Sequence, residues 1–511
     1  MTNTKEQSSA QPLKASENQI TDHFLYKILN PESICIFGAN NDLLSTMGSM
    51  QMRNIKSGFK GKIYPIHPKL EEVQGYKAYK SVLDLPEIPD LAFIILPPHI
   101  VPIVLEECGK KGIKRAIITS GGFRESRHSD GSDLSKKIDE IAKRYNIRFI
   151  GPNCLGVYNG WYGLDTNEHY LMTFWPYFVP DLGKISIISQ SGTIAAQIFW
   201  KAKNIGVKIG KSISIGNERN IDMVDILEFC KNDPQTDVIG LYIEEVKRGK
   251  EFIRLAKEIT SIKPIVGIYA GGTEAATRSI MSHTGAIAGD SKIYEGVFKE
   301  TGIISTNSVI DFLYYLRTLL YAQSYNIFPK GKRVGIITSS GGSATLMTKT
   351  CDLYGLEVPE FSKELQKELS NYIPHTASGS NPIDITFFEN FYEFFVTIPK
   401  LIMNSGEVDC ILFDGVWDFG EVINIIEKSG SSVNEMIKDF SKIFYPGFLK
   451  PLIRFVRKKS IPMFFCGPQL YSYPLYKEFL NHDIPIFELW DEAPKCMSML
   501  VKYSEYRTKF S

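Results

Sequence analysis

No two of the eight cysteines form a CxxC pair, and none has a histidine at zinc-ligand spacing. Cys35, Cys108, Cys154, Cys230, Cys351, Cys410, Cys466 and Cys496 therefore read as reduced, mostly buried thiols, which argues against a disulfide scaffold or a zinc module. Long apolar runs are missing too. No stretch offers the roughly 18 uninterrupted apolar residues of a membrane span, and the longest candidate, LAFIILPPHIVPIVL at 91–105, is broken by three prolines. Residues 1–22 lack the apolar core of a signal peptide and read as a disordered polar tail, so a cytoplasmic location is expected. Charge of one sign is absent as well: 58 basic against 57 acidic residues leave a net charge of +1, so nothing global points to a nucleic acid or an anionic membrane.

What is present is alternation. From residue 31, SICIFGAN, KIYPIHP, DLAFIILPP, RAIITSGGF and IRFIGPNC read as five strands separated by helical stretches, the pattern of a parallel sheet covered on both faces. The scheme restarts at KISIISQSGTIAAQIF and again at KRVGIITSSGGSATLM, each an apolar strand followed by a small-residue turn and a helix. An α/β chain follows, with mainly parallel sheets and boundaries that give a tail 1–22, a doubly wound domain 23–155, a second domain 156–310 and a third 311–511.

In open α/β sheets ligands bind beyond the carboxyl ends of the strands, so the loops there carry the functional expectations. The first, IFGANNDLLSTMG, has Asn40 where a dinucleotide fingerprint needs its second glycine, which disfavours NAD. The second strand ends YPIHPK, where Lys69 suits a nucleotide with an extra phosphate rather than free ribose hydroxyls; the alternative is a solvated surface lysine. Two turns, Ser189-Gln190-Ser191-Gly192 and Ser339-Ser340-Gly341-Gly342, lead directly into helices, whose N-terminal N–H groups and dipoles favour an anion. Together they are expected to grip one phosphoryl group.

His283 lies in SIMSHTGAIAG, which reads as a loop between a strand and a helix. Ser282 and Thr284 flank it, and Gly285 and Gly289 permit close backbone approach. With phosphate-binding turns elsewhere, an imidazole here suggests a nucleophile that becomes phosphorylated. Its second nitrogen needs an acceptor, and LYIEEV offers Glu244 and Glu245, between which strand alternation does not choose.

These residues carry a resemblance. SHTGAIAG, GPNCLG at 151–156, SQSG at 189–192 and NPIDIT at 381–386, with weaker matches at GKIYPIHPK, SGGF at 120–123 and GN at 216–217, are similar to the alpha subunit of NDP-forming acyl-CoA synthetases. The ADP-forming acetate-CoA ligase group is the nearer branch and succinyl-CoA synthetase alpha subunits the more distant one. The resemblance implies a Rossmann-like CoA-binding domain followed by two flavodoxin-like ligase domains. It implies that His283 carries the phosphoryl group with Glu244 as its hydrogen-bonding glutamate, and that Ser189, Gln190, Ser191, Gly192, Ser340, Gly341 and Gly342 bind phosphate. Coenzyme A would be contacted by Gly38, Ala39, Asn40, Lys69, Pro97, Ser120, Gly121, Gly122, Asn153 and Cys154, the last two beside the pantetheine and not as a covalent nucleophile.

The implied reaction interconverts acyl-CoA, phosphate and ADP with a carboxylic acid, CoA and ATP. After residue 331 nothing resembles an ATP-grasp domain. A separate beta subunit, supplying the ADP/ATP and Mg2+ sites in an α2β2 heterotetramer, is therefore expected. Departures are Tyr269, where many relatives have lysine, and His67, where the family pattern has asparagine. The aromatic stretch 161–178 is either the lining of a site for a bulky acid or a loop packed by its own rings. The alternative function is a CoA-binding regulatory protein of the same fold without turnover; an NADP-dependent oxidoreductase is opposed by the missing glycine fingerprint.

Overall fold

The computed structural model describes residues 20–126, 130–163, 169–284, 289–386, 390–418, 420–431 and 444–510, with backbone alone at 130, 281–284, 421, 422, 424, 445 and 446. The tail expected at 1–22 lies almost wholly outside the described residues. Two compact units result: Met1–Lys203 with Val207–Leu316, and Asn204–Gly206 with Arg317–Ser511.

The first unit contains two sheets. In one, β1 (Ser33–Phe37), β2 (Lys62–Ile66), β5 (Leu91–Ile94), β6 (Arg115–Ile118) and β7 (Arg148–Ile150) pair in parallel in the order β2-β1-β5-β6-β7. These are the five strands expected from the sequence. A small antiparallel hairpin, β3 (Glu72–Val73) and β4 (Tyr76–Lys77), was not anticipated, because two-residue strands carry no periodicity to detect. β1 and β5 are buried along their whole length, which is why both read as continuous apolar runs.

The second sheet runs β14-β13-β12-β10-β11-β8-β9. β10 (Ile185–Ser189), β11 (Ile209–Ser214), β12 (Val238–Ile243), β13 (Ile265–Tyr269) and β14 (Ile304–Ser305) are parallel. β8 (Gly156–Asn159) and β9 (Leu171–Met172) extend one edge antiparallel. β10 lies between β11 and β12, so the connections diverge at its carboxyl end and open the crevice where such sheets bind ligands. One hydrophobic cluster runs from Ile34 and Phe93 of the first sheet to Ile188, Ile213 and Leu241 of the second. A separate cluster, including Phe37, Ile94, Leu105 and Phe149, fills the other face of the first sheet.

The aromatic stretch after β8 packs mainly on its surroundings. Trp161 Nε1 donates to the Gly183 carbonyl at 2.8 Å and the Tyr162 hydroxyl to that of Pro31 at 2.9 Å. Phe174 is fully buried beside Phe199. The Tyr170–Tyr177 hydroxyl pair, at 2.7 Å, joins the stretch to itself.

The second unit holds β15 (Val334–Thr338), β16 (Ile383–Asp384), β17 (Cys410–Asp414), β18 (Met463–Cys466) and β19 (Ile486–Phe487), all parallel in the order β16-β15-β17-β18-β19. This is the flavodoxin-like winding, again with its crevice beside the first strand. Phe394, Phe395, Phe413, Phe444, Phe465 and Phe479 form a linked aromatic core. Asn381, of the NPIDIT motif, ties β15 in place: its Oδ1 accepts from Ile336 N–H at 3.0 Å and its Nδ2 donates to the Val334 carbonyl at 2.7 Å.

Candidate functional site

The first-domain candidates lie on one rim, at the carboxyl ends of the first sheet's strands. Gly38, Ala39 and Asn40 follow β1, Lys69 follows β2, Pro97 follows β5, Ser120–Gly122 follow β6, and Asn153 and Cys154 follow β7. Gly38 has φ +91°, and a Cβ there would stand 1.9 Å from the Ile95 carbonyl oxygen, so no other residue fits this crossing. Asn40 organises its turn: its Oδ1 accepts from Asp42 N–H and from the Ser45 and Ser49 hydroxyls at 2.9, 2.9 and 3.0 Å. Lys69 is exposed beside the edge strand β2 and Pro97 is exposed beside β5.

The last two loops of this rim interlock with the second sheet. Asn153 N–H donates to the Ser120 carbonyl at 2.9 Å, and Asn153 Nδ2 to Asn217 Oδ1 at 3.3 Å. Asn217 Nδ2 donates to Glu125 Oε2 at 2.5 Å, while Glu125 Oε1 accepts from the N–H groups of Gly122 and Phe123 at 2.6 and 3.2 Å. Gly121 borders both Glu125 and Asn153. Cys154 is buried, its thiol 3.4 Å from the Ile118 carbonyl, and burial pushes its pKa up to about 12. Such a thiol is a packing group, not a nucleophile.

The turn after β10 leads into the helix Gly192–Asn204. The buried Ser189 hydroxyl closes it, donating to the Ser191 carbonyl at 2.7 Å and accepting the Ser191 N–H at 3.1 Å. Helix geometry leaves the N–H groups of Gly192 and Thr193 without a preceding carbonyl. Gly192 packs so closely on Leu155 that a Cβ would come within 2.7 Å of Leu155 Cγ, which keeps the helix start against the GPNCLG loop.

Gln190 does something the sequence did not announce. Its Oε1 accepts from Glu244 and Glu245 N–H at 2.5 and 3.1 Å, and its Nε2 donates to the Glu245 carbonyl at 2.8 Å and to Glu218 Oε2 at 2.9 Å. Its own N–H goes to the Tyr242 carbonyl at 3.3 Å. Every donor it has is thus engaged by protein. Glu244 is buried, whereas Glu245 pairs with Arg124 at 2.9 Å, which separates the two acids that alternation left equivalent. Glu218 is buried beside them, and burial pushes its carboxyl up to about 8 against the pull of Lys247.

The structure corrects the setting of His283. Its backbone belongs to the helix Glu274–Thr284 and not to a loop. Thr273 caps that helix, its Oγ1 accepting from Ala276 N–H at 3.1 Å, and EAATRSIMSHT contains no glycine or proline to stop it. Gly285 lies outside the described residues. The base of the segment is pinched: Tyr269 OH donates to the Gly289 carbonyl at 2.8 Å, and the Tyr269 ring stacks on Tyr294 at 3.7 Å.

In the second unit, Ser340 precedes the helix Gly341–Leu353, and Ser340, Gly341 and Gly342 are exposed. The Ser340 carbonyl accepts from the Thr338 and Ser343 hydroxyls at 3.1 and 2.9 Å, holding the turn open to solvent. The Ser343 hydroxyl also lies 2.5 Å from Oδ2 of the buried Asp414, so its one proton is shared between that carboxyl and the Ser340 carbonyl.

Comparison with known proteins identifies this arrangement. Residues 32–160 match the CoA binding domain, 182–319 the succinyl-CoA ligase like flavodoxin domain and 334–419 the ligase-CoA domain. Over 383 residues the chain is 36% identical to the alpha subunit of ADP-forming acetate-CoA ligase II of Pyrococcus furiosus, covering 75% of this chain and 80% of that one. The chain belongs to the ADP-forming acyl-CoA synthetase alpha-subunit family. It is also 42% identical over 364 residues to the ADP-forming acetate-CoA ligase of Methanocaldococcus jannaschii, covering 71% of this chain and 49% of that relative, so it spans about half of that protein. Among solved structures, the dinucleotide-forming acetyl-coenzyme A synthetase 1 of Ca. Korarchaeum cryptofilum, in complex with phosphate and ADP, superposes with a TM-score of 0.78 at 28% identity, covering 95% of this chain and 97% of that chain.

Two departures of this synthetase-family chain have structural counterparts. His67 Nδ1 accepts from the N–H groups of Lys69 and Leu70 at 3.2 and 3.0 Å, a turn-closing task that an asparagine oxygen also performs. Tyr269 closes the base of the His283 segment, using a hydroxyl and a ring where a lysine would offer a charge. Sequence reasoning missed Arg124, Glu125, Glu218 and Lys247, because a charged residue at a strand end reads as solvated until its partners are seen. No helix among the described residues is long and apolar enough to cross a membrane.

Proposed function

We propose that this chain is the catalytic alpha subunit of an ADP-forming acid-CoA ligase working through a phosphohistidine at His283. The observation that carries the reading is the buried position of Glu244 at the end of β12, its backbone clamped beside the start of the helix Gly192–Asn204. In the first step, a phosphate oxygen attacks the thioester carbonyl and CoA leaves as the thiol, giving an acyl phosphate. In the second, an imidazole nitrogen of His283 attacks phosphorus and the carboxylate leaves. The phosphoryl group then passes to ADP.

Glu244 holds the other ring nitrogen and favours the charged imidazole that phosphorylation creates. The N–H groups at Gly192 and Thr193 stabilise charge on the phosphoryl oxygens, and the start of Gly341–Leu353 is the second such terminus in the chain. Gly38, Ala39, Asn40, Lys69, Pro97, Ser120, Gly121, Gly122, Asn153 and Cys154 form the coenzyme A rim. The ADP/ATP site and Mg2+ are assigned to an ATP-grasp beta subunit in an α2β2 assembly, and a cytoplasmic setting suits eight buried cysteines.

The test mixes the chain with such a beta subunit, phosphate and a panel of acyl-CoA thioesters beginning with acetyl-CoA. Acid-labile, alkali-stable phosphate on the chain, lost in His283→Ala and strongly reduced in Glu244→Gln, is the expected outcome. Coenzyme A binding with no phosphate transfer from any thioester would establish the regulatory alternative instead.

A further inference from the structure

We propose that Gln190 is a positioning residue that aims the Glu244 carboxylate, an inference that rests on the roles of Glu244 and His283 given above. Glu244 leaves β12 where the chain turns out of the sheet, and the direction of its side chain there follows the orientation of two consecutive peptide planes. Gln190 fixes both planes, since its Oε1 takes the N–H of Glu244 and of Glu245 at 2.5 and 3.1 Å and its Nε2 gives a proton to the Glu245 carbonyl at 2.8 Å. Glutamine supplies both acceptor and donors; glutamate lacks the donors and methionine lacks both.

The second donor of the carboxamide anchors the brace. It bonds Glu218 Oε2 at 2.9 Å, and the other oxygen of Glu218 accepts from Met223 N–H at 2.9 Å. Glu218 is itself held at φ +50°, with Lys247 Nζ donating to the Asn217 and Glu218 carbonyls at 2.7 and 2.6 Å. Asn217 continues the connection to Glu125, and Arg124, next in sequence, grips Glu245. The corner that carries Glu244 is therefore referenced, through Gln190, to the loops that form the coenzyme A rim. A residue that only filled space would need none of these polar bonds, and a phosphate ligand would need a free donor that Gln190 lacks.

The experiment follows the His283 imidazole of the full chain by NMR, with labelled histidine ring carbon, across a pH titration. A carboxylate held against an imidazole raises its pKa, and Glu244→Gln defines how much is lost without it. Gln190→Met removes all four side-chain bonds at similar volume. The expected result is a downward shift of the His283 pKa at least half that of Glu244→Gln, with an unchanged circular dichroism spectrum. If Glu244→Gln moves the His283 value and Gln190→Met leaves it in place, the positioning role is overturned while the pairing of Glu244 with His283 stands. If Glu244→Gln leaves it in place, that pairing falls and the role of Gln190 falls with it. Should Gln190→Met not fold, Glu218→Gln, which offers one acceptor oxygen to the two donors Gln190 and Met223, is read against the same two results.

Discussion

Lys211 and Asp233 form an ion pair at 2.7 Å with side chains only 1% and 3% exposed. Lys211 sits on β11, buried along its full length, and its ammonium also donates to Gln235 Oε1 at 2.9 Å. Asp233 accepts the Thr236 hydroxyl at 2.5 Å as well. Removing one member strands the other charge without solvent, so Lys211→Met and Asp233→Asn should each cost about 3–5 kcal/mol in denaturant titrations. The double variant should cost less than their sum, because neither charge is then left alone.

The pinch at the base of the His283 segment gives a local prediction. Tyr269→Phe keeps the ring stack on Tyr294 and deletes only the bond to the Gly289 carbonyl. The expected loss is about 0.5–1.5 kcal/mol, visible as faster amide hydrogen exchange around Gly289 to Ser291. Unchanged exchange there would show that the stack alone holds the segment.

Much of this architecture was legible because parallel strands buried on both faces advertise themselves as apolar runs, as in SICIF and ISIIS. The ends of those runs placed the candidate loops. β9 and β16, of two residues each, were invisible, since pairing and not periodicity defines them. In the site, SQSG was legible as a small-residue turn and GPNC through the family resemblance, but their internal wiring was not. Gln190 looked like one more polar residue of an anion turn, and its task depends on Glu218, Glu244 and Glu245, which lie 28 to 55 residues away. His283 was misread as a loop residue because the glycines that follow it drew attention from the uninterrupted helix-compatible run before it.

Cys154 lies in the GPNC loop and invites a reading as a thioester nucleophile. Burial holds its thiol protonated, with a pKa of about 12, and its hydrogen points to the Ile118 carbonyl. Native chain exposed to iodoacetamide at about pH 8 should therefore leave Cys154 unmodified by mass spectrometry, since alkylation requires accessible thiolate. Cys154→Ala should retain phosphorylation of the chain under the assay proposed above. Abolition with the fold intact would assign the thiol a chemical role.

The carboxyl of Glu218 predicts how stability follows pH. Burial raises its pKa to about 8 from an ordinary 4.5, with Lys247 pulling it down and Asp222 pushing it up. The folded chain thus binds this proton more tightly than the unfolded chain does. Its contribution to stability is complete below the unfolded value and drains away as pH rises through the folded one. Between about pH 5 and pH 8, urea midpoints of the wild-type chain should fall relative to those of Glu218→Gln, which has no proton to lose. Burial depresses the ionisation of Lys247 and the Glu218 carboxylate supports it, so the comparison reads these two coupled groups together. Parallel midpoints across that range would mean that Glu218 is ionised throughout, and the bond from Gln190 would then be charge-assisted and not one between neutral groups.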